Sequence, residues 1–347
     1  MMAQVSATPR HAELEAAIAA APTDDERWLV YADWLQQLGH PRGELIRLDV
    51  ELSRTKDLSR AQALVQEAAA LANALPFDRA LGPTAVRTRG FVTAVTLGYV
   101  SSDFAAERPG DAFLPADARP ERLAAVLAHD DARYLEGLSL QTPGPGDWSG
   151  VLSLVRARAP SGLTDLSLYA RQAAELPGGA VLPASVRRLR LEAGQLGAEA
   201  VRAPHLALLD VEAAGFEPSV MDALAASELP ALETLRLSAR YTPLAPSLRP
   251  LLSARWPALK HLALHGVVLW PEDLKALARS ALLGGLAALD FSYCAFPDPT
   301  ADDVVSELKA VAHAAPGLAR LDVSGTQLAP AQLAALRELL PHLQLLG

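Results

Sequence analysis

The chain has a single cysteine, Cys294, among 347 residues. That excludes an intramolecular disulfide framework and a zinc site built from several thiolates. Aromatic residues are scarce, at 5%, so the core must be built mainly from aliphatic side chains. Basic residues are outnumbered, 31 against 40 acidic, for a formal net charge of −9. This balance argues against non-specific binding to nucleic acid or anionic membrane, both of which need a surplus of Lys and Arg. No uninterrupted apolar stretch approaches the ~20 residues needed to cross a bilayer. Residues 1–21 lack the basic start, apolar run and small-residue cleavage site of a signal peptide, and read as an amphipathic helix. The cytoplasm is the expected compartment. Chemistry-bearing motifs are missing too: there is no serine elbow and no His-Glu-x-x-His. Gly144-Pro145-Gly146 is a turn with no lysine at phosphate-loop spacing. The chain is expected to be no enzyme and to hold no cofactor and no metal.

What the sequence has is a repeat. Leu-x-x-Leu-x-Leu, with Val or Phe substituting, recurs at Leu135/Leu138/Leu140, Leu163/Leu166/Leu168, Val186/Leu189/Leu191 and Leu206/Leu209/Val211. It continues at Leu232/Leu235/Leu237, Leu259/Leu262/Leu264, Leu286/Leu289/Phe291 and Leu318/Leu321/Val323. The central leucines are 28, 23, 20, 26, 27, 27 and 32 residues apart, close to the 20–29 period of leucine-rich repeats. A degenerate copy at Leu343/Leu346 closes the array and another at Val92/Val95/Leu97 opens it. In each short strand the second and third apolar residues point inward and their neighbours point to solvent. One such unit cannot bury its apolar side, whereas stacked units share a core.

Helical spacing of apolar residues follows the strands at 222–228, 272–280, 302–314 and 331–340. Pro230, Pro257, Pro316 and Pro341 stand just ahead of the next strand and forbid helix continuation there. Each unit then reads strand, turn, helix, proline, strand. The fold class is α/β: a curved solenoid with a parallel sheet inside and helices outside, behind a small helical domain. The repeats resemble the ribonuclease-inhibitor-like class of leucine-rich repeats. Cys294 takes an inward slot filled elsewhere by Gly194, Ala214, Val267 and Thr326, so it reads as a packing residue.

The N-terminal region has a helix at 10–21 and a second capped by Asp24 or Asp25, with Trp28, Tyr31, Leu35 and Leu38 on its apolar side. Gly39-His40-Pro41 makes a turn, and helices follow at 44–52 and 58–75. The run Ala20-Ala21-Pro22-Thr23-Asp24-Asp25-Glu26-Arg27-Trp28-Leu29-Val30-Tyr31-Ala32-Asp33-Trp34-Leu35, followed by Gly39-His40-Pro41-Arg42-Gly43-Glu44-Leu45-Ile46-Arg47-Leu48, resembles the repeat-companion domain of myxobacterial and planctomycete proteins. That domain commonly stands ahead of leucine-rich repeats. Gly90–Leu97 resembles the strand that opens the repeats in such proteins. The resemblance implies architecture and no catalytic residues. The expected division is a helical domain at 1–78, a linker and irregular cap at 79–134, and the solenoid at 135–347. Residues 98–119 read as a loop and 121–129 as a helix. Asp33 and Trp34, with Arg42, Glu44 and Arg47 beyond the turn, read either as a recognition surface or as bundle packing, with Asp33 paired to Arg42 or capping the turn.

The solvent-facing columns of the repeats carry the candidate binding residues: Asp165, Ser167 and Tyr169; Arg188, Arg190 and Glu192; Asp210 and Glu212; Arg236; His261 and His265; Asp290; Arg320 and Asp322. Adjacent strands stand about 5 Å apart, so Arg190 could pair with Asp210, and Asp210 with Arg236. His261 and His265 are separated by about 13 Å of extended strand and cannot share a metal unless the strand bends. An extended mixed surface without a pocket suits a protein-interaction scaffold. The other function class is a regulator of an enzyme, a GTPase-activating or inhibitory module, with Arg188 or Arg190 supplying an exposed guanidinium. The expected partner is a protein, not nucleic acid or membrane, engaged by a monomer. Tyr169, Arg188, Arg190, Glu192, Asp210, Glu212, Arg236, His261 and His265 are the leading contacts, with Asp33 and Arg47 on the helical domain.

Overall fold

A computed structural model describes residues 7–81, 85–97, 119–142, 148–176, 182–198, 200–216, 218–239, 248–296 and 302–347. The expected loop at 98–119 lies, but for its last residue, outside these, as does the turn at 144–146. The chain divides into two compact units: Met1–Gly98, Phe113–Ser139 and Arg158–Leu163 in the first, and Tyr99–Ala112, Leu140–Ala157 and Thr164–Gly347 in the second.

The first unit begins with five helices: α1 (Ala12–Ala20), α2 (Asp25–Gln37), α3 (Arg42–Arg54), α4 (Leu58–Ala74) and α5 (Pro76–Leu81). An antiparallel pair, β1 (Ala85–Thr88) and β2 (Phe91–Leu97), and helix α6 (Arg119–Ala128) complete it. Asp24 caps α2 by accepting a hydrogen bond from the Glu26 amide at 3.0 Å, and Asp57 caps α4 from Ser59 at 2.8 Å, which satisfies first-turn amides that otherwise have no partner. Ile18, Trp28, Tyr31, Leu35, Ile46, Val50 and Phe91 form one buried cluster. Leu38, expected on that apolar side, is mostly exposed because α2 has ended at Gln37. Gly43 lets α2 and α3 approach closely: a Cβ there would meet the Ala32 carbonyl oxygen at 2.5 Å. Helix α5 was not legible in the hydrophobic pattern, and Pro76 at its start marks it only in retrospect.

In the second unit β4 (Asp165–Leu176), β5 (Arg188–Ala198), β6 (Leu208–Phe216), β7 (Thr234–Ala239), β8 (His261–His265), β9 (Ala288–Asp290), β10 (Arg320–Asp322) and β11 (Gln344–Leu346) pair in parallel, each beside the next in sequence. β3 (Gly137–Thr142), whose first three residues fall in the first unit, and α7 (Ser149–Arg158), whose last residue does, precede them, with α8 (Pro218–Ala225), α9 (Pro271–Ala278), α10 (Asp302–Ala314) and α11 (Pro330–Leu339) between or after the strands. This is a mixed α/β fold with an open parallel sheet and flanking helices, the arrangement of a leucine-rich repeat solenoid. The central leucines align strand to strand as Leu166, Leu189, Leu209, Leu235, Leu262, Leu289 and Leu321, all buried. Each such side chain contributes roughly 1.5–3 kcal/mol of burial, which becomes available only when the next repeat covers it.

Two details differ from expectation. Among the described residues no helix lies between β4 and β5 or between β5 and β6. The central leucines there are only 23 and 20 residues apart, and β4 and β5 themselves run on to Leu176 and Ala198. The last strand is also shifted by one residue. Leu321 pairs with Leu345, not Leu346, so Leu345 is the central residue of the closing copy. A one-residue slip exchanges the two faces of a strand.

Candidate functional site

Alternation carries the candidate residues to the open face of the sheet. In register, Asp165, Arg188, Leu208, Thr234 and His261 form one cross-strand row. Ser167, Arg190, Asp210, Arg236, Ala263 and Asp290 form the next, and Tyr169, Glu192, Glu212, Ser238 and His265 the third. Arg188 and Asp165 are directly paired: Nε and Nη2 both donate to the carboxylate, the second at 2.7 Å. Burial works against the Asp165 carboxylate, yet the bonds from Arg188 and Thr164 outweigh it and lower its pKa.

Arg190 makes a different pair from the one its spacing suggested. Its guanidinium donates to Glu212 at 3.1 Å, stands 3.9 Å from Glu192, and lies 5.9 Å from the centre of the Tyr169 ring. Asp210 is its register partner, but a long side chain leans along the strand to the third row, where two carboxylates meet it instead of one. Among the described residues Asp210 and Arg236 form no ion pair with each other although they stand opposite one another. Arg236 and His261 are both exposed.

His265 is the most organised residue of the face. Its Nε2 lies 3.0 Å from Asp290 Oδ2 and its Nδ1 3.4 Å from Ser238 Oγ. The bond to Asp290 raises its pKa against the opposing effects of burial and of Arg236. Burial pushes Asp290 upward, but the hydrogen bonds from His265 and Ser292 prevail and bring it down to about 2. The order Ser238–His265–Asp290 has the residue types of a nucleophile triad. The carboxylate favours the protonated form of the ring, in which both nitrogens are donors. Sequence reasoning named His265 and Asp290 separately; only the register of β7 to β9 shows that they meet. His261, at the other end of β8, is not part of the cluster. Among the described residues no three His, Cys, Asp or Glu side chains gather as a metal site.

In the first unit Asp33 and Arg47 are exposed on α2 and α3. Arg47 reaches Gln36 Oε1 at 3.5 Å, and Asp33 has no hydrogen-bond or ion-pair partner among the described residues. Arg42 belongs elsewhere. It is fully buried, and it donates to Asp78 through both Nη atoms at 3.1 and 2.7 Å, to Asp131 at 3.1 Å and to the Gly90 carbonyl at 2.6 Å. Phe91 lies 5.0 Å beneath the guanidinium, and Arg87 donates to Asp78 from the far side at 2.9 Å. The expected pairing of Arg42 with Asp33 is therefore wrong. Asp33 points to solvent from α2, whereas the first turn of α3 aims Arg42 inward, to carboxylates 36 and 89 residues away in sequence. No local spacing signals such partners.

No protein-family model matches the sequence, and neither does any curated protein. Among solved structures the chain is similar to a Bacteroides fragilis protein from a structural genomics consortium, at 17% identity and a TM-score of 0.52, over 72% of this chain and 73% of that one. It also matches an internalin from Listeria monocytogenes at 11% identity and a TM-score of 0.23, covering 65% and 69% of the two chains. A leucine-rich repeat protein of Leptospira interrogans matches at 12% identity and a TM-score of 0.16, covering 72% and 99%. Among the described residues no helix is long and apolar enough to cross a membrane.

Proposed function

We propose that the chain is a protein-binding scaffold that engages its partner through the open face of β4 to β8. The observation that carries this reading is Arg236, an exposed guanidinium with no ion pair among the described residues. It shares a row with Arg190 and lies one row from Arg188, and both of those arginines are already held by carboxylates. Those pairs fix the surrounding side chains before any encounter, and arginine and tyrosine are the types most enriched at binding hot spots. Tyr169, Glu192, Asp210, Glu212, His261 and His265 complete the contact surface. The same pairing speaks against a GTPase-activating or inhibitory module, because Arg188 and Arg190 have no free guanidinium to insert into another active site. The partner is a protein, neither nucleic acid nor membrane, and the chain works as a cytoplasmic monomer.

The second unit reads as repeats of the ribonuclease-inhibitor-like class, spanning 135–347. The first reads as a repeat-companion domain at 1–78, with a cap at 79–134. Tight Gly43 packing and the buried Arg42 support a structural role for the motif that carries this resemblance. The test is affinity capture with the whole chain, identification of the captured protein, and titration of that protein with substituted chains. Arg236→Ala or Tyr169→Ala weakens binding by about 1 kcal/mol or more, roughly fivefold, with melting unchanged. If both leave affinity intact while Asp33→Ala or Arg47→Ala abolishes it, the helical unit is the binding module and the sheet-face reading fails.

A further inference from the structure

One residue of the repeats departs from the backbone chemistry of its position. The turns after β8, β9 and β10 each use a positive φ, at Gly266 (65°), Tyr293 (59°) and Gly325 (66°). Glycine adopts this conformation freely, whereas a side chain with a Cβ is disfavoured there, and a large aromatic is an outlier. Burial does not compensate, since Tyr293 is 73% exposed. Its placement is nonetheless specific. The Tyr293 amide donates to the Ser324 carbonyl at 2.8 Å, and the ring rests on Gly325 of the next repeat. A Cβ on Gly325 would lie 2.6 Å from ring atom Cδ1 and 2.7 Å from Cε1. An unfavourable backbone, a glycine seat and an uncovered ring together display an aromatic side chain at a cost in stability, and such costs concentrate at functional positions.

The chemistry of the missing contact can be read from the other rings. Arg190 lies over Tyr169 at 5.9 Å, Arg133 over Tyr134 at 4.6 Å and Arg42 over Phe91 at 5.0 Å. Among the described residues no cation lies over Tyr293. The chain carries a net charge of −9, which favours a cationic visitor. We propose that Tyr293 anchors a contact at which a partner protein lays an arginine or lysine side chain over the open ring face. This inference rests on the reading of the repeats as a protein-binding unit and specifies the partner's chemistry.

The experiment uses the full chain and three nine-residue probes, all-arginine, all-lysine and alternating Gly-Ser, titrated by calorimetry at low salt. Tyr293→Gly weakens binding of the arginine peptide about two- to fivefold, the range of an exposed cation–π contact. Tyr293→Phe retains the affinity and Tyr293→Leu loses it. Because glycine relieves the backbone, Tyr293→Gly melts at or above the temperature of the unsubstituted chain. Unchanged affinity in the glycine variant overturns the proposal. So does a lowered melting temperature, which would make the ring a structural element. If Tyr293→Gly is silent while Arg236→Ala weakens the captured partner, this inference fails and the sheet-face reading stands. The opposite pair of results sustains the Tyr293 contact and removes the sheet-face reading.

Discussion

Substituting Arg42 with Met removes the cation at the centre of the first unit and keeps its volume. In the native arrangement the guanidinium satisfies Asp78 in a two-pronged contact, one oxygen of Asp131, the Gly90 carbonyl and, at 3.4 Å, the Thr8 hydroxyl. After the substitution Asp78 keeps Arg87 at 2.9 Å, while Asp131 keeps the Thr8 amide at 3.1 Å and Arg133 at 3.7 Å. The Gly90 carbonyl loses the donor that Arg42 supplied. Breaking a buried ion pair by removing one partner costs about 3–5 kcal/mol. The two surviving cations place this case near 3 kcal/mol, or roughly 10 °C for a unit of this size. Calorimetry measures the shift, and amide exchange in α2 and α3 locates it in the first unit. Arg42→Lys should recover only part of the loss, because an ammonium cannot hold both oxygens of Asp78 while also reaching Asp131 and Gly90. A shift under about 2 °C for the Met variant, or full recovery with lysine, would refute the idea that this cluster organises the unit.

Two further outcomes are expected. Cys294 is buried and its thiol donates to the Leu264 carbonyl at 2.9 Å; burial pushes its pKa from 9.0 up to about 12. Thiolate at pH 8 is therefore about a thousandfold rarer than in the unfolded chain, and a thiol reagent should react correspondingly slowly until denaturant is added; equal native and unfolded rates would disprove this placement. The His265–Asp290 pair stabilises the fold only while both members are charged. The histidine contribution is complete below its unfolded value of 6.5 and is lost as pH rises through the elevated folded value. The aspartate contribution is present above 3.8 and is lost as pH falls through about 2. His265 should thus titrate above 6.5 by NMR, and Asp290→Asn should bring it back down. A midpoint unmoved by that substitution would mean that the carboxylate does not hold the proton.

The sequence by itself determined the solenoid, because its energetics are periodic. A leucine in each repeat must be covered by the next, and Leu166 through Leu321 announce that requirement at spacings that survive substitution by Val or Phe. The inward slot of Cys294 and the outward faces of Arg236 and His265 followed from strand alternation alone. Tertiary structure decided what spacing does not encode. Arg190 chose Glu212 over Asp210 because a long side chain crosses to a neighbouring row, a matter of reach that a pattern of residue types leaves open. Leu345 displaced Leu346 because hydrogen-bond register is fixed by the preceding strand, and both residues are leucine. Arg42 found Asp78 and Asp131 because folding brings three distant turns around one guanidinium; no local signal marks charges whose partners are that remote in sequence. Tyr293 carries no mark in the sequence: its positive φ and its seat on Gly325 are properties of the folded backbone.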